Sequence, residues 1–322
     1  MKYKIFVDGQ EGTTGLMIHE RLIARNAAKG DLEILMIDPE KRKDETERAV
    51  FLNEADFVFL CLPDNAAVEA VNLITNKTTR VIDASTAHRT DPGWAYGLPE
   101  LSAGHRNAIK LSKRVSVPGC FASGFNVIIH PLVAEGLLPA DHPVSCHSVT
   151  GYSGGGKKLI ELYENENRDA ALNSPCFYRL SLNHKHLPEM KVVSGLTHAP
   201  LFTPILSCYY KGMTVAVPFH LKQAGLNFSV ETLREFYEKY YKKCFFIRTM
   251  PPIEKAGLYN GDYLPAENCN GTNRMEIFVS GNEDQAVVIA RFDNLGKGSS
   301  GAAVQCMNIM LGSEEYLGLK IN

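Results

Sequence analysis

The chain lacks an excess of charge of either sign: 34 lysines and arginines stand against 36 aspartates and glutamates, a formal net charge of −2 at pH 7. Its longest basic block is Lys41-Arg42-Lys43. A surface that binds nucleic acid or anionic lipid concentrates cations on one face, so neither is expected as a partner. Long apolar runs are missing too. Met1-Lys2-Tyr3-Lys4 leads into a short apolar stretch that stops at Asp8, too brief for the core of a signal peptide, and no segment has the length to span a membrane. A cytoplasmic location is therefore expected. No Cys-x-x-Cys pair occurs, and eight cysteines scattered over so long a chain argue against a disulfide framework and against a zinc site. Internal repeats and low-complexity linkers are absent as well.

At 322 residues the chain exceeds what one hydrophobic core comfortably organises, and 45% apolar residues suffice to fill two. Its first third alternates short β-rich runs with helical patterns. Strands are expected at Lys4–Asp8, Leu32–Asp38, Asp56–Leu62 and Arg80–Ala84, with helices near Thr14–Ala28, Asp44–Asn53 and Asn65–Thr75. The runs are apolar almost throughout, as strands are when helices cover both faces of a parallel sheet. This predicts a doubly wound, Rossmann-like α/β domain. From about Pro118 the pattern changes. A helix over Phe121–Glu135 places Phe125, Ile128, Ile129 and Leu132 on one face, and strands follow at Pro143–Thr150, Thr203–Val217, Arg274–Ser280 and Ala286–Asp293. Ser229 caps a helix running to about Lys242. Long strands with interspersed helices predict an α+β second domain, and Gly298–Leu311 reads as a final helix.

Gly9-Gln10-Glu11-Gly12-Thr13-Thr14-Gly15 follows the first strand and opens the first helix. Glycines at such a turn let a backbone approach a pyrophosphate, while the helix start offers its N–H groups and positive dipole end. The Gly-x-x-Gly-x-x-Gly spacing departs from Gly-x-Gly-x-x-Gly, and a tight turn without a ligand is the plain alternative. Position at the first strand-to-helix junction favours a dinucleotide. Asp38 stands where an acidic residue holds the ribose hydroxyl of NAD, whereas Lys41, Arg42 and Lys43 suit the 2′-phosphate of NADP. An ordinary turn with a solvated basic run accounts for both.

A short strand over Arg114–Val117 ends in Pro118-Gly119-Cys120, and the helical pattern starts at once with Phe121. A thiol at a helix start has its thiolate stabilised by the dipole, which makes it nucleophilic at neutral pH, and Gly119 leaves it accessible. The other cysteines sit in apolar or β-rich surroundings that suit small buried hydrophobes. A nucleophile needs a base within reach. The best cluster is His184-Lys185-His186-Leu187-Pro188-Glu189, in which Glu189 can fix the imidazole of His186. No third ligand at sensible spacing accompanies the two histidines, so no metal is expected. Two more glycine-rich loops follow strands, Thr150–Lys158 and Asn294–Gly301, and their backbone N–H groups suit an anionic group or a close-lying cofactor.

Taken in order, Gly9/Gly12/Gly15, Val117-Pro118-Gly119-Cys120, the Gly151–Lys158 loop, the His184–Glu189 cluster and Asn294–Gly301 resemble the N-acetyl-γ-glutamyl-phosphate reductases of arginine biosynthesis, in their shorter bacterial form. The likeness runs over essentially the whole chain. Aspartate-semialdehyde dehydrogenases share the glycine loop, the helix-starting cysteine and an Asn-Leu-x-x-Gly-type loop, and the His-x-His-x-Pro-Glu cluster tips the choice. The resemblance implies a dinucleotide-binding domain made of 1–117 and 298–322. It also implies a catalytic and oligomerisation domain, 118–297, of the glyceraldehyde-3-phosphate and aspartate-semialdehyde dehydrogenase type, assembled as a homodimer or homotetramer. NADP(H) is implied as cofactor, held by Gly9, Gly12, Thr13, Thr14, Gly15, Arg42, Ser85, Gly154, Asn294 and Gly296.

The implied reaction is reduction of an acyl phosphate, with release of phosphate, through a thioester on Cys120. His186 is its acid and base, Glu189 orients His186, and His184 helps hold the anionic oxygen. Ser85-Thr86-Ala87-His88-Arg89 is similar to the family's Ser-x-x-x-Arg segment, which makes Arg89 the first candidate to bind the substrate's anionic groups and Lys157 the second. Three rivals remain at this point: the same chemistry on β-aspartyl phosphate, a Cys120/His186 thiol hydrolase or acyltransferase, and a dinucleotide sensor without catalysis.

Overall fold

The computed structural model of the chain describes residues 2–321. Two compact units are present: one runs to Gly119 and takes up Ser299–Leu319, the other spans Cys120–Gly298 and includes Lys320.

The first unit contains β1 (Tyr3–Asp8), α1 (Thr13–Lys29), β2 (Leu32–Leu35), α2 (Glu45–Glu54), β3 (Phe57–Leu60), α3 (Asp64–Asn72), β4 (Arg80–Asp83), β5 (Ala95–Tyr96), α4 (Ala103–Leu111) and β6 (Arg114–Ser116). The strands form one sheet in the order β2-β1-β3-β4-β6-β5, with every pairing parallel. Ile5, Phe6, Val58, Phe59, Val81 and Ile82 are all inaccessible, as the unbroken apolar runs require. β1 lies between β2 and β3, so the winding reverses there. Doubly wound sheets bind ligands at the carboxyl edge of such a switch point, which is where the Gly9 loop emerges.

The expected strand over Leu32–Asp38 is shorter, because Asp38 accepts from the Glu40 N–H at 3.0 Å and turns the chain. On α1 the buried stripe is Ile18, Leu22 and Arg25. Apolar burial of this kind stabilises by about 1.5–3 kcal/mol per large side chain.

The second unit holds α5 (Cys120–Ala134), β7 (Ser145–Gly151), α6 (Lys157–Glu164), β8 (Cys176–Phe177), α7 (Leu187–Ser194), β9 (Leu201–Ser207), β10 (Met213–His220), α8 (Val230–Tyr241), β11 (Ile247–Thr249), β12 (Met275–Gly281) and β13 (Gln285–Phe292). Its mixed sheet runs β11-β12-β13-β10-β7-β9-β8. The single strand expected over Thr203–Val217 is two strands. They do not pair with each other: β9 lies parallel to β7 and β10 antiparallel to it. The chain breaks at Gly212, whose φ of +109° ends the extended run.

α5 is almost wholly buried, yet Pro131 interrupts it. A proline has no N–H to give the carbonyl four residues back, here Val127. The Tyr241 hydroxyl, from α8, donates to that oxygen at 2.7 Å, and the Tyr237 hydroxyl donates to Ile128 O at 2.7 Å. α8 is itself fixed by a capping box of Ser229 and Thr232.

The final segment begins as a π-helical turn, Gly296–Ser300, and becomes α9 (Gly301–Met310) only afterwards. Within the first unit Arg25 Nε donates to Asn308 Oδ1 at 2.7 Å, which ties α1 to α9. Lys320 departs from the expected grouping of 298–322, since Asn273 N donates to Lys320 O at 2.7 Å and the second unit takes it. Among the described residues no helix is long and apolar enough to cross a membrane.

Candidate active site

Cys120 is the first residue of α5 and is half-buried. A carboxylate-free helix start suits a thiolate there, because the first-turn N–H groups lack intrahelical partners. Elsewhere in the chain burial pushes the Cys146 thiol up to about 12 and the Cys269 thiol up to about 11, and Cys61 is likewise raised by burial and by Asp83 and Asp8. Phe121, next to Cys120, is buried against three rings, with centroids 5.4 Å from His184, 5.7 Å from His186 and 5.1 Å from Phe202. The start of α5 and the segment leading into α7 are thus packed together through one side chain.

The two imidazoles meet edge to face at 4.6 Å, and both histidines are buried. His186 N donates to His184 Nδ1 at 3.1 Å, so neutral His184 carries its hydrogen on Nε2 and presents that atom as a donor. His186 is the residue before the first turn of α7, and its carbonyl accepts from Met190 N at 3.0 Å. Glu189, only 1% exposed, occupies that first turn, where its charge is favoured by the helix dipole.

The two later glycine-rich loops come together within the same unit. Asn294 donates to Ser153 Oγ at 3.1 Å and accepts from Gly212 N at 2.8 Å, and Gly154 lies against its amide. Gly298 runs so close to the thiol residue that a Cβ there would sit 2.9 Å from Cys120 Cβ. Gly296 N and Gly298 N both donate to Asp293 O at 3.1 Å. Lys157, by contrast, is exposed at the start of α6 and is not brought to Cys120 by any contact among the described residues.

In the first unit Gly9 adopts φ +87°, with Cys61 O 2.4 Å from the place a Cβ would take, so the turn admits only glycine. Gly12 precedes α1 without any side-chain cap, leaving the N–H groups of Thr13, Thr14 and Gly15 pointing out of the helix start. Arg42 pairs with Glu11 and so stands beside this loop, while Lys41 pairs with Glu47 at 2.7 Å. Ser85 donates to Asp83 Oδ2 at 2.6 Å, and His88 Nδ1 is 2.7 Å from the same oxygen. Arg89, four residues on from Ser85, is anchored by donation to Val117 O at 2.9 Å and Ala84 O at 3.2 Å.

Residues 24–111 match the description "Semialdehyde dehydrogenase, NAD binding domain", and residues 120–294 match "Semialdehyde dehydrogenase, dimerisation domain". The chain is 44% identical to N-acetyl-gamma-glutamyl-phosphate reductase 2 of a Nostoc species, over 99% of both chains. It is 46% identical to the N-acetyl-gamma-glutamyl-phosphate reductase of Mesorhizobium japonicum, over 97% of this chain and all of that one.

The chain belongs to the N-acetyl-γ-glutamyl-phosphate reductase family.

It is thus an oxidoreductase of the semialdehyde dehydrogenase type. Among solved structures it is similar to the aspartate semialdehyde dehydrogenase of Francisella tularensis, with a TM-score of 0.70 at 15% identity, covering 96% of this chain and 100% of that one. The Candida albicans enzyme, solved with NADP, gives a TM-score of 0.60 at 14% identity, covering 97% and 99%. Those likenesses bear on the fold. The matched NAD-binding range starts inside α1, so the Gly9–Gly15 loop is read from its own geometry. Two neighbours of the thiol escaped the sequence reading. Gly298 was one glycine in a loop of several, and Tyr178 lay in a stretch with no motif around it; only the fold sets either against Cys120.

Proposed function

We propose that this family member reduces N-acetyl-γ-glutamyl phosphate to N-acetylglutamate 5-semialdehyde, with NADPH as reductant, releasing phosphate. The observation that carries the reading is the packing of a helix-starting thiol against two buried imidazoles through Phe121. The relatives' names supply the substrate. The Cys120 thiolate attacks the γ-acyl carbon; a carbon–sulfur bond forms as the bond to phosphate breaks, and phosphate leaves with that electron pair. After reduction, His186 protonates the oxygen of the thiohemiacetal, then takes the proton back as the carbon–sulfur bond breaks and aldehyde and thiolate separate. Glu189 orients His186, and His184 offers its Nε2 hydrogen to the oxygen while that atom is anionic. Arg89 and Lys157 bind the substrate's phosphate and carboxylate.

The residues present fit a nicotinamide dinucleotide. Gly9 and Gly15 keep open a turn that a Cβ would fill, and an uncapped helix start faces it. Gly12, Thr13 and Thr14 complete that cradle, and Arg42, paired with Glu11 of the same loop, suits the 2′-phosphate of NADP. The cofactor's contribution is the hydride that reduces the thioester carbonyl. Replacing Gly15 by alanine puts a Cβ 2.3 Å from Gly9 O and 2.8 Å from Gln10 Cα. Because both atoms are backbone, the loop must move, and NADPH affinity is expected to weaken roughly tenfold or more, about 1.4 kcal/mol, in a calorimetric titration.

A homodimer or homotetramer completes the proposal. On the mixed sheet, Val215 faces α5, whereas Val149, Ile205, Ala216, Val287 and Ile289 lie on the opposite face and are only half-buried. An apolar patch of that kind suits a second copy of the chain. The reaction is checked in reverse: phosphate-dependent NADP⁺ reduction is expected with N-acetylglutamate semialdehyde. Reduction with aspartate semialdehyde alone would overturn the substrate assignment.

A further inference from the structure

The segment between β8 and His184 makes no contribution to the mechanism just given, yet it is held with care. β8 pairs antiparallel with β9, and the Tyr178 N–H extends that edge by donating to Pro204 O at 3.2 Å. Arg179 then turns the chain out of the strand with a φ of +54°, unusual for a residue with a side chain. Backbone strain of this kind persists where the surroundings impose it. Tyr178 is left half-buried, its ring 6.0 Å from that of His184 and nearly edge-on at 70°. Cys120 lies within electrostatic reach of its phenol. Burial first, and Cys120 second, push this phenol above its ordinary value, so it keeps its proton wherever the enzyme works. Among the described residues its hydroxyl has no hydrogen-bond acceptor. The hydroxyl is not sealed from solvent, so water can satisfy it until the oxygen of a ligand beside the nucleophile takes that place.

We propose that Tyr178 is a further catalytic residue, whose hydroxyl donates a hydrogen bond to the oxygen of the acyl carbon bound at Cys120, from the side of His184. The inference rests on the thioester reading above. Negative charge gathers on that oxygen when sulfur adds to the carbonyl and again when hydride does. Tyr178 keeps its proton throughout, so no bond to hydrogen is broken and the proton balance remains with His186. A donor of this kind acts on the transition state more than on substrate binding.

Tyr178→Phe retains the ring against His184 and removes only the donor. With the wild-type chain assayed on both semialdehydes, kcat of the variant is expected to fall ~100-fold on whichever substrate the wild type oxidises. KM, and the rate at which iodoacetamide alkylates Cys120, are expected to stay within about threefold. The choice of semialdehyde by the wild type scores the substrate reading; the ratio of variant to wild type scores Tyr178. A kcat within about threefold of wild type would overturn the proposal. So would a fall in alkylation equal to the fall in kcat, which would assign Tyr178 to placing or ionising the thiol.

Discussion

Cys120→Ala is expected to abolish phosphate-dependent NADP⁺ reduction, by on the order of 10⁴-fold or more, as removal of a covalent nucleophile does. Two features make the loss so complete. Three of the other thiols are ill-suited to deputise: Cys146 and Cys269 are held at about 12 and about 11 by burial, and Cys61 is raised as well, so each of these stays protonated at neutral pH. The helix start is also specific to position 120, since α5 begins there and the next side chain, Phe121, is already committed to the His184–His186–Phe202 cluster. Alanine keeps the Cβ against Gly298 and loses only sulfur, so the melting temperature and NADPH affinity should stay near those of the wild type. The measurement is an initial rate in the oxidative direction beside a thermal melt and an NADPH titration. A variant retaining more than about a hundredth of the wild-type rate, well short of the loss expected for a nucleophile, would remove Cys120 from that role.

What was legible in the sequence is what local chemistry decides. β1 and the Gly9 turn could be read because an unbroken apolar run, a positive-φ glycine and a helix start are consecutive in the chain. The thiol could be read for the same reason, since Cys120 and the helix it starts adjoin. The pairing of Cys120 with the His184–Glu189 cluster was a guess from chemistry; what joins them is Phe121, whose partners lie some sixty residues on. The split of Thr203–Val217 was missed because both halves are β-rich, and the break depends on Gly212 lying where a Cβ would be 2.8 Å from Ala266 O. β8 was missed because a strand of two residues carries no periodicity at all. Tyr178, delivered by that strand, was invisible for the same reason.

His186 and His184 share a cluster but are bound into it differently, and their substitution should separate them. His186→Gln is expected to lower kcat by about 10²–10⁴-fold and to remove the corresponding limb of the pH–rate profile, as loss of a general acid and base does. The fold should tolerate it, because the contribution of His186 to α7 is its carbonyl, which accepts from Met190 N, and not its ring. His184→Gln removes the acceptor of the His186 N–H, a bond worth about 1 kcal/mol, and one donor to the anionic oxygen. It should lower kcat while keeping the shape of the pH profile, since a hydrogen-bond donor stabilises charge without exchanging a proton. Profiles of kcat against pH for the two variants decide the matter. If His184→Gln flattens the limb and His186→Gln retains it, the two roles are exchanged, and Phe121 packs the thiol against its base through the other ring.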